Sequence, residues 1–270
     1  MNKVVFITGA SSGIGKATAE KLLNENCIVY GGARNLEKLK SIVNLKPIEI
    51  DMAEYGSLEK AVSKIVKAEG RIDVLFNNAG YGLYGTVEDV PIEEAKAQFD
   101  VNLFGLARLT QLVLPHMRKQ KSGTIINTSS IGGKIYTPLG AWYHATKHAL
   151  EGWSDSLRIE LKQFDIEVVI IEPGAIQTDW GKTASDNLLK FSGKGAYKNF
   201  AKSAAKNTLG RYQKGNLSSP DVIANAVSKA IESDNPKPRY VAGKYARSIL
   251  FARKYLGDRI FDKLISISLK

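Results

Sequence analysis

Short apolar runs alternate with stretches of helical periodicity along most of the chain. The runs are KVVFIT (3–8), CIVYGG (27–32), KPIEI (46–50), IDVLFN (72–77), GTIINT (123–128) and IEVVII (166–171). They are apolar throughout instead of alternating with polar residues, which is typical of strands covered on both faces. Their alternation with helical stretches predicts an α/β fold, a single doubly wound parallel sheet with helices on both faces.

Two long helices stand out between these runs. One is predicted over 91–121, where Pro91 and the acidic pair after it fit a helix start. The other contains AWYHATKHALEGW (141–153) and runs to about residue 164. Its apolar side chains recur at spacings of three and four, which predicts a core or interface stripe formed by Leu150, Trp153, Leu157 and Leu161.

Residues 182–218 differ from the rest of the chain. They are rich in Lys, Gly, Ala, Ser and Asn and contain no strand-like run. This composition predicts a mobile segment, placed before a helix that starts near Pro220. We expect one domain over 1–270, with 182–218 as a substrate lid and a basic amphipathic segment at 244–270.

The net charge of +11 is concentrated in two segments. Residues 182–214 hold eight Lys/Arg against one acid, and residues 237–270 hold nine against two. Three interpretations stay open: lysines of the lid attract an acidic substrate, the tail contacts an anionic membrane surface, or both segments are only solvated. No pattern specific to nucleic acid is present, so we expect no nucleic-acid partner.

The cysteine content and the amino terminus bear on the compartment. A single cysteine, Cys27, excludes an intramolecular disulfide and favours a reducing compartment. The start MNKVVFITGA does not resemble a signal peptide, and no apolar run approaches the ~20 residues that span a bilayer. We therefore expect a cytoplasmic protein.

The stretch TGASSGIG (8–15) follows the first strand and opens a helix. Glycine permits a sharp turn and close approach of a ligand, and the helix N-terminus presents N–H groups to a pyrophosphate. Dinucleotide binding is the function this context favours; the alternative is a plain tight turn.

The second strand ends in YGGARN (30–35), without the acid that would bind the 2′-hydroxyl of NAD. Arg34 stands there instead, and a guanidinium can pair with a 2′-phosphate. This favours NADP(H) over NAD(H) as cofactor. The alternative is that Arg34 is a solvated loop residue.

Tyr143 and Lys147 are one helical turn apart and lie on one face. A cation near a phenol lowers the pKa of the phenol, so the pair is a candidate acid or base. The alternative is two ordinary helix residues. His144 and His148 have the same spacing, but no HExxH motif, third clustered histidine or cysteine pair accompanies them. We expect packing or surface roles for them and no metal.

The motifs together resemble the short-chain dehydrogenase/reductase family over nearly the full length. They are TGASSGIG (8–15), NNAG (77–80), Asn102 in FDVNLFG, TSS ending at Ser130, YHATK (143–147) and PGAIQT (173–178), in the family's order. The resemblance implies a Rossmann-type fold and an oxidoreductase that transfers a hydride between nicotinamide and a carbonyl or secondary alcohol.

The resemblance also implies residue roles. Tyr143 is the general acid or base, Lys147 lowers its pKa and binds the nicotinamide ribose, and Ser130 polarises the substrate carbonyl. Ser130 is preferred to Ser129 because it precedes Tyr143 by 13 residues, the family's interval. Asn102 anchors a water that relays protons. Tyr143 and Ser130 also contact the substrate. The cofactor-binding residues implied are Gly9, Ser11, Ser12, Gly13, Ile14, Gly15, Arg34, Asp51, Met52, Asn78, Ala79, Gly80, Tyr143, Lys147, Pro173, Gly174, Ile176 and Thr178.

The expected substrate pocket is apolar, which favours a hydrophobic substrate. Its rim would contain Tyr81, Leu83, Ile131, Ile135, Tyr136, Leu139 and Trp142. The chain resembles family members that act on steroids, retinoids or lipid-like carbonyls, and the family implies a homodimer or homotetramer. The alternative function is an NADPH-binding regulatory protein without significant turnover.

Overall fold

Seven strands form one sheet in the computed structural model, which describes residues 2–268. The strands are Val4–Thr8 (β1), Ile28–Ala33 (β2), Lys46–Glu49 (β3), Val74–Asn77 (β4), Gly123–Thr128 (β5), Ile166–Pro173 (β6) and Arg239–Ala242 (β7). All neighbouring pairs are parallel, in the order β3-β2-β1-β4-β5-β6-β7. The predicted doubly wound parallel sheet is confirmed, and β7 is an addition that the apolar runs did not predict.

The strand order reverses between β1 and β4. In open parallel sheets, the carboxyl ends of strands on either side of such a reversal border a crevice in which ligands bind. Here the crevice is bordered by the glycine turn after Thr8 and by the segment after Asn77.

Helices cover both faces of the sheet. They are Gly13–Asn24 (α1), Leu36–Lys40 (α2), Tyr55–Glu69 (α3), Ile92–Phe99 (α4), Leu106–Gln120 (α5), Ala141–Leu161 (α6), Trp180–Ser192 (α7), Lys198–Gln213 (α8), Asp221–Glu232 (α9), Ala246–Tyr255 (α10) and Gly257–Ser268 (α11). One core packs α3, α5 and α6 against the sheet, and the other packs α1, α2 and α9. Within 2–268, no helix is long and apolar enough to cross a bilayer.

The helix predicted over 91–121 is divided. A wide π-helical stretch, Asp100–Gly105, separates α4 from α5. The helix carrying the predicted stripe also ends earlier than expected, at Leu161, and a 3-10 turn follows over Lys162–Phe164. The stripe itself is confirmed as core: its leucines are buried, and Trp153 packs against the same cluster.

The segment 182–218, predicted as mobile, is largely helical, because it contains most of α7 and all of α8. These helices pack through small side chains: Ala201, Ala204 and Ala205 are buried with Leu188 and Leu139. An alanine-based contact leaves little hydropathy signal, which explains why the composition did not reveal it. The basic tail forms α10 and α11, and residues 269–270 of the predicted 244–270 segment lie outside the described residues.

Candidate active site

Ser130 and Tyr143 meet at the carboxyl end of the sheet. Ser130 follows β5 and accepts a hydrogen bond from Gly132 N at 3.0 Å, which fixes the short turn after it. Tyr143 lies in the first turn of α6, is only 7% exposed, and lies near enough to the Ser130 hydroxyl for hydrogen bonding to act on its pKa. Two hydroxyl groups are therefore held together where a carbonyl oxygen could accept hydrogen bonds from both.

The polypeptide by itself raises the pKa of Tyr143. Burial among aromatic rings is the main cause, and the Ser130 hydrogen bond opposes it. Lys147 donates to Thr128 O at 2.8 Å, and burial lowers the pKa of Lys147 to about 8, while Glu151 opposes that shift. In the protein alone, burial and the Ser130 hydroxyl set the pKa of Tyr143, so the predicted lowering of that pKa by Lys147 is not seen there.

The π-helical stretch places Asn102 beside the segment after β4. Asn102 Oδ1 accepts from Tyr81 N at 3.1 Å, and Asn102 Nδ2 donates to Tyr81 O at 3.0 Å and to Thr146 Oγ1 at 3.3 Å. A Cβ at Gly80 would lie 2.9 Å from Asn102 Oδ1 and 3.9 Å from Lys147 Nζ. Three predicted residues, Gly80, Asn102 and Lys147, thus converge, and the contacts of Asn102 position the turn beneath the lysine.

The glycine turn packs closely against the NNAG segment. Gly9 has a φ of +68°, and a Cβ there would lie 2.9 Å from Ala79 Cα, while a Cβ at Gly15 would lie 2.2 Å from Gly9 O. Asn78 Nδ2 donates to Thr8 O and Gly9 O at 3.1 and 3.3 Å. Only glycine fits these positions, so the turn keeps its backbone open to a ligand.

Thr8 is a site residue to which the sequence analysis gave no role. Its hydroxyl accepts from Asn78 N at 3.0 Å and from Ala79 N at 2.9 Å, which ties the ends of β1 and β4 together at the crevice. The signal was present, since Thr8 opens the TGASSGIG motif.

The opposite edge of the turn is bordered by Thr178. A Cβ at Gly13 would lie 3.1 Å from Thr178 Cγ2, so these two predicted cofactor residues are neighbours. Ser12 precedes α1 without a side-chain hydrogen bond to the helix, which leaves the first N–H groups of α1 open. Ser11 comes directly before Ser12, and Ile14 is the second residue of α1. The cradle and the open helix end fit a pyrophosphate of a nicotinamide dinucleotide.

Three predicted cofactor residues lie at the carboxyl ends of β2 and β3. Arg34 is exposed, and its charge acts on the nearby Tyr81 phenol. Asp51 Oδ1 accepts from Ala53 N at 3.0 Å. Met52 is 5% exposed, and its carbonyl faces Gly105 in the π-helical stretch. The described contacts leave the Arg34 side chain available to a ligand.

The segment after β6 has a packing role as well. A Cβ at Gly174 would lie 2.4 Å from Lys244 O, so this glycine admits the start of the tail. Ile176 is 4% exposed, and its side chain belongs to a hydrophobic core. Pro173 ends β6 and is also buried. At Gly174 and Ile176 only the backbone could face a cofactor.

Aromatic rings surround Tyr143. The centroid distances from Tyr143 are 5.7 Å to Tyr84 and 5.5 Å to Trp180, and the Tyr212 phenol lies close enough to influence titration. Burial raises the pKa of Tyr84 well above its ordinary value and that of Tyr212 to about 12, so both phenols stay neutral. We call Tyr84, Trp180 and Tyr212 the aromatic wall.

The aromatic wall was not predicted, because its members come from three distant segments and share no motif. Of the predicted rim, Leu83 and Leu139 are buried, with Leu139 packed against α7 and α8. Tyr136 instead packs against Phe261 of α11, with 5.5 Å between ring centroids.

Both neighbouring histidines have protein partners. His144 is buried, with Nδ1 at 2.9 Å from Gly132 O and Nε2 at 3.0 Å from Thr137 N. Burial lowers the pKa of His144. His148 Nδ1 lies 2.8 Å from His144 O. His144 therefore has the predicted packing role, fixing the segment between Ser130 and Tyr143.

The fold and this site define an oxidoreductase of the dinucleotide-binding class. The family model for short chain dehydrogenase matches residues 3–188. A probable short-chain type dehydrogenase/reductase of Helicobacter pylori is 38% identical, covering 98% of this chain and 97% of that protein. The chain belongs to the short-chain dehydrogenase/reductase family, whose members are oxidoreductases that act on alcohol or carbonyl groups with nicotinamide cofactors.

Two further relatives have more specific names. A 3-ketodihydrosphingosine reductase of Bacteroides thetaiotaomicron is 35% identical, and the alignment covers 98% of this chain and 97% of that protein. An NADPH-dependent 3-dehydrocapnine reductase of Ornithobacterium rhinotracheale is 35% identical, covering 99% and 98%.

Solved structures agree with the fold assignment. A short-chain dehydrogenase from Streptomyces avermitilis superposes with a TM-score of 0.82 and 31% identity, covering 98% of this chain and 97% of that one. Similar structures include one complex with NADP and one with NADH. These two complexes share a nicotinamide cofactor but differ in its 2′-phosphate.

Proposed function

We propose that this protein is an NADPH-dependent reductase of a carbonyl group on a hydrophobic, lipid-like substrate. The observation that carries the proposal is that Ser130 and Tyr143 lie together beside the aromatic wall. The pair supplies hydrogen-bond donors to a carbonyl oxygen, and the wall supplies an apolar surface beside it.

A nicotinamide dinucleotide held at the glycine turn of residues 8–15 would supply the hydride. Tyr143 then gives its proton to the carbonyl oxygen, and its raised pKa keeps that proton in place until charge develops there. Ser130 orients the carbonyl, Lys147 would bind the nicotinamide ribose, and Asn102 holds the turn after Gly80 through its two hydrogen bonds to Tyr81. The roles of Tyr143, Ser130 and Lys147 are those that the family resemblance implies.

Arg34 supports the preference for NADPH. It is exposed at the carboxyl end of β2 with no carboxylate beside it in YGGARN, so a 2′-phosphate would meet a free guanidinium. One relative is named as NADPH-dependent, which agrees with this choice.

The lipid-like substrate is supported by the aromatic wall and by a relative. Tyr84, Trp180 and Tyr212 offer ring surface but no charge next to Tyr143. The substrate in one relative's name, 3-ketodihydrosphingosine, is a long-chain amino ketone. Because Trp180 and Tyr212 belong to α7 and α8, we propose that these two helices are the substrate lid.

We also propose a cytoplasmic homodimer or homotetramer that pairs through the long helices. Phe104, just before α5, and Ile159 of α6 are 50% and 69% exposed, as expected for residues that a second copy covers. Light scattering on the purified protein measures the assembly, and a monomer at micromolar concentration would contradict it.

The function is tested by following NADPH oxidation with methyl ketones of increasing chain length. We expect kcat/KM to rise with chain length and Tyr143→Phe to lower kcat at least 1,000-fold, because only the proton donor is removed. NADPH binding, measured by nicotinamide fluorescence, should change less than threefold. Tyr55→Phe, at an exposed tyrosine at the start of α3, is the matched control.

Each outcome bears on one part of the proposal. Activity confined to small polar sugars would contradict the lipid-like substrate, and a preference for NADH would contradict the cofactor. Full activity of Tyr143→Phe would exclude the proposed proton donor. NADPH binding without turnover on the whole ketone series would favour the regulatory alternative.

A further inference from the structure

The last two helices expose an unusual share of apolar surface. Of the 16 large hydrophobic side chains that are exposed in residues 2–268, seven lie between 245 and 267. They are Tyr245, Phe251, Tyr255, Leu256, Ile260, Leu264 and Ile267, and the most exposed of them is Phe251 at 63%. This pair of helices, α10 and α11, is therefore partly unburied in the monomer, and we call these side chains the tail surface.

Carboxylates of the tail are already paired inside the protein. Asp258 Oδ1 accepts from Arg253 Nη1 at 2.6 Å, and Asp262 Oδ1 accepts from the Tyr136 hydroxyl at 2.8 Å. In contrast, Arg247, Lys254, Arg259 and Lys263 are exposed and have no carboxylate partner among the described residues. The tail thus presents uncompensated positive charge beside its apolar side chains.

Helix geometry places two of these cations, Arg259 and Lys263, directly beside the apolar stripe of α11. At 100° per residue, Ile260, Leu264 and Ile267 fall on one stripe, and Arg259 and Lys263 lie along one side of it. On its other side, Phe261 is 2% exposed and packs into the protein. An apolar stripe flanked by cations is the pattern of a helix that lies in the interface of an anionic bilayer.

Helix α11 contacts the segment that joins Ser130 to Tyr143. Tyr136 stands between Ser130 and Tyr143 in the chain and contacts α11 through both Phe261 and Asp262. The Arg253 guanidinium of α10 lies 5.1 Å from the Tyr136 ring centroid. A surface that held the tail would therefore lie near the segment that borders the substrate pocket.

A second copy of this chain is a poorer occupant of the tail surface. A twofold contact would bring four unpaired cations of each copy together without an unpaired carboxylate between them. Anionic headgroups complement these cations, and the acyl boundary complements the apolar stripe.

We propose that α10 and α11 dock this protein on an anionic lipid bilayer, with the tail surface inserted at the headgroup boundary. The inference that the protein docks depends only on the tail surface and the cations beside it. That the docked enzyme takes its carbonyl substrate from the same bilayer rests on the proposed function.

Docking is tested by co-sedimentation of the full chain with vesicles of phosphatidylglycerol and phosphatidylcholine, against vesicles of phosphatidylcholine alone. We expect binding to the anionic vesicles only. The quadruple variant Arg247→Gln, Lys254→Gln, Arg259→Gln, Lys263→Gln should bind at least about 100-fold more weakly, because each cation near such a surface adds to the affinity. Ile260→Ser with Leu264→Ser should also lower binding at least tenfold.

The matched control removes the same charge elsewhere. Lys60, Lys64 and Lys67 are exposed on α3, and Lys119 is exposed on α5, so their change to Gln should leave vesicle binding unchanged. An equal loss in this control would show nonspecific adsorption and overturn the proposal. So would equal binding to both vesicle types, or an oligomer that Ile260→Ser with Leu264→Ser dissociates.

Delivery of substrate is tested separately from docking. The quadruple variant should keep its kcat/KM for a short soluble ketone and lose it for a long-chain ketone carried in vesicles. Vesicle binding without any ketone reduction would leave docking standing and overturn the proposed function. Equal activity on both ketones in the variant and the wild type would overturn delivery from the bilayer.

Discussion

Arg34 is the residue on which the proposed preference for NADPH depends. Its side chain is exposed at the carboxyl end of β2, so it can be removed without opening a cavity. We expect Arg34→Ala to weaken NADPH binding about 10- to 100-fold, since a charge-assisted hydrogen bond contributes about 1.5–3 kcal/mol. NADH binding should change less than twofold, as measured by titration of nicotinamide fluorescence.

A charge-preserving variant distinguishes the contribution of bidentate hydrogen bonding by the guanidinium from the contribution of its positive charge. Arg34→Lys should bind NADPH with intermediate affinity, because an ammonium cannot form the bidentate contact. Equal losses for NADPH and NADH in Arg34→Ala would remove Arg34 from the phosphate site.

Motif residues could be located from the sequence, whereas their electrostatics could not. Gly80, Asn102 and Lys147 converge as expected, since a strand end, a helix and a turn each bring one of them to the crevice. The pKa of Tyr143 goes the other way from the prediction, because it depends on burial by Tyr84 and Trp180, which lie far away in the chain. Spacing on one helix carries no information about such neighbours.

The π-helical stretch Asp100–Gly105 is the element that delivers Asn102 to the site. A Cβ at Gly105 would lie 2.1 Å from Met52 O, so the wide turn and the segment after β3 fit together only with glycine. We expect Gly105→Ala to destabilise the protein by about 1–3 kcal/mol, as overpacking does, and to weaken cofactor binding through displaced Asp51 and Asn102. Thermal unfolding and fluorescence titration measure the two effects.

Gly152 provides the matched control, because it lies within α6 and a Cβ added there would have no neighbouring atom within 4 Å. Gly152→Ala should leave cofactor binding unchanged and stabilise the helix by about 0.5–1 kcal/mol. If Gly105→Ala behaves in the same way, the fit against Met52 is not essential.

Elements with strong hydropathy were predictable, and those without it were not. Six strands were located: no residue of β1, β2, β4, β5 or β6 is exposed, and β3 is an edge strand in which only Ile48 is buried. The strand β7 is a short edge strand whose four residues are only half-buried, and α8 packs through alanines in a lysine-rich sequence. In both cases a tertiary contact, with β6 or with α7, stabilises an element that local pattern does not specify.

At the scale of the whole molecule, a charge cluster around two buried glutamates joins α6, the helix that carries Tyr143 and Lys147, to the edge of the sheet. Arg239 of β7 contacts Glu151 of α6 at 3.0 Å and Glu172 of β6 at 3.1 Å, and Lys134 contacts Glu151 at 2.9 Å. Both glutamates are at most 3% exposed. Glu151 also acts on Lys147, one helical turn away, so the cluster links the site to the strand from which the tail departs.

The cluster makes stability depend on pH. Burial, followed by the nearby Glu151 charge, raises the pKa of Glu172 to about 7 from its ordinary value of 4.5. Between these values the folded protein binds the proton more tightly than the unfolded chain, so this contribution to stability falls as pH rises through the window.

Glu172→Gln removes this titration while keeping the shape of the side chain. Near pH 4.5 residue 172 is neutral in the folded wild type and in the folded variant. The titration of Glu172 should therefore make little difference between their stabilities at that pH. At pH 8 the variant should gain about 3 kcal/mol relative to that difference, because the pKa shift from 4.5 to about 7 corresponds to about 1.4 kcal/mol per unit and already includes the attraction to Arg239. Denaturant unfolding at both pH values measures it. A stability difference that does not change with pH would mean that Glu172 is already ionised throughout, stabilised by Arg239, and that the cluster joins α6 to the sheet without a cost at neutral pH.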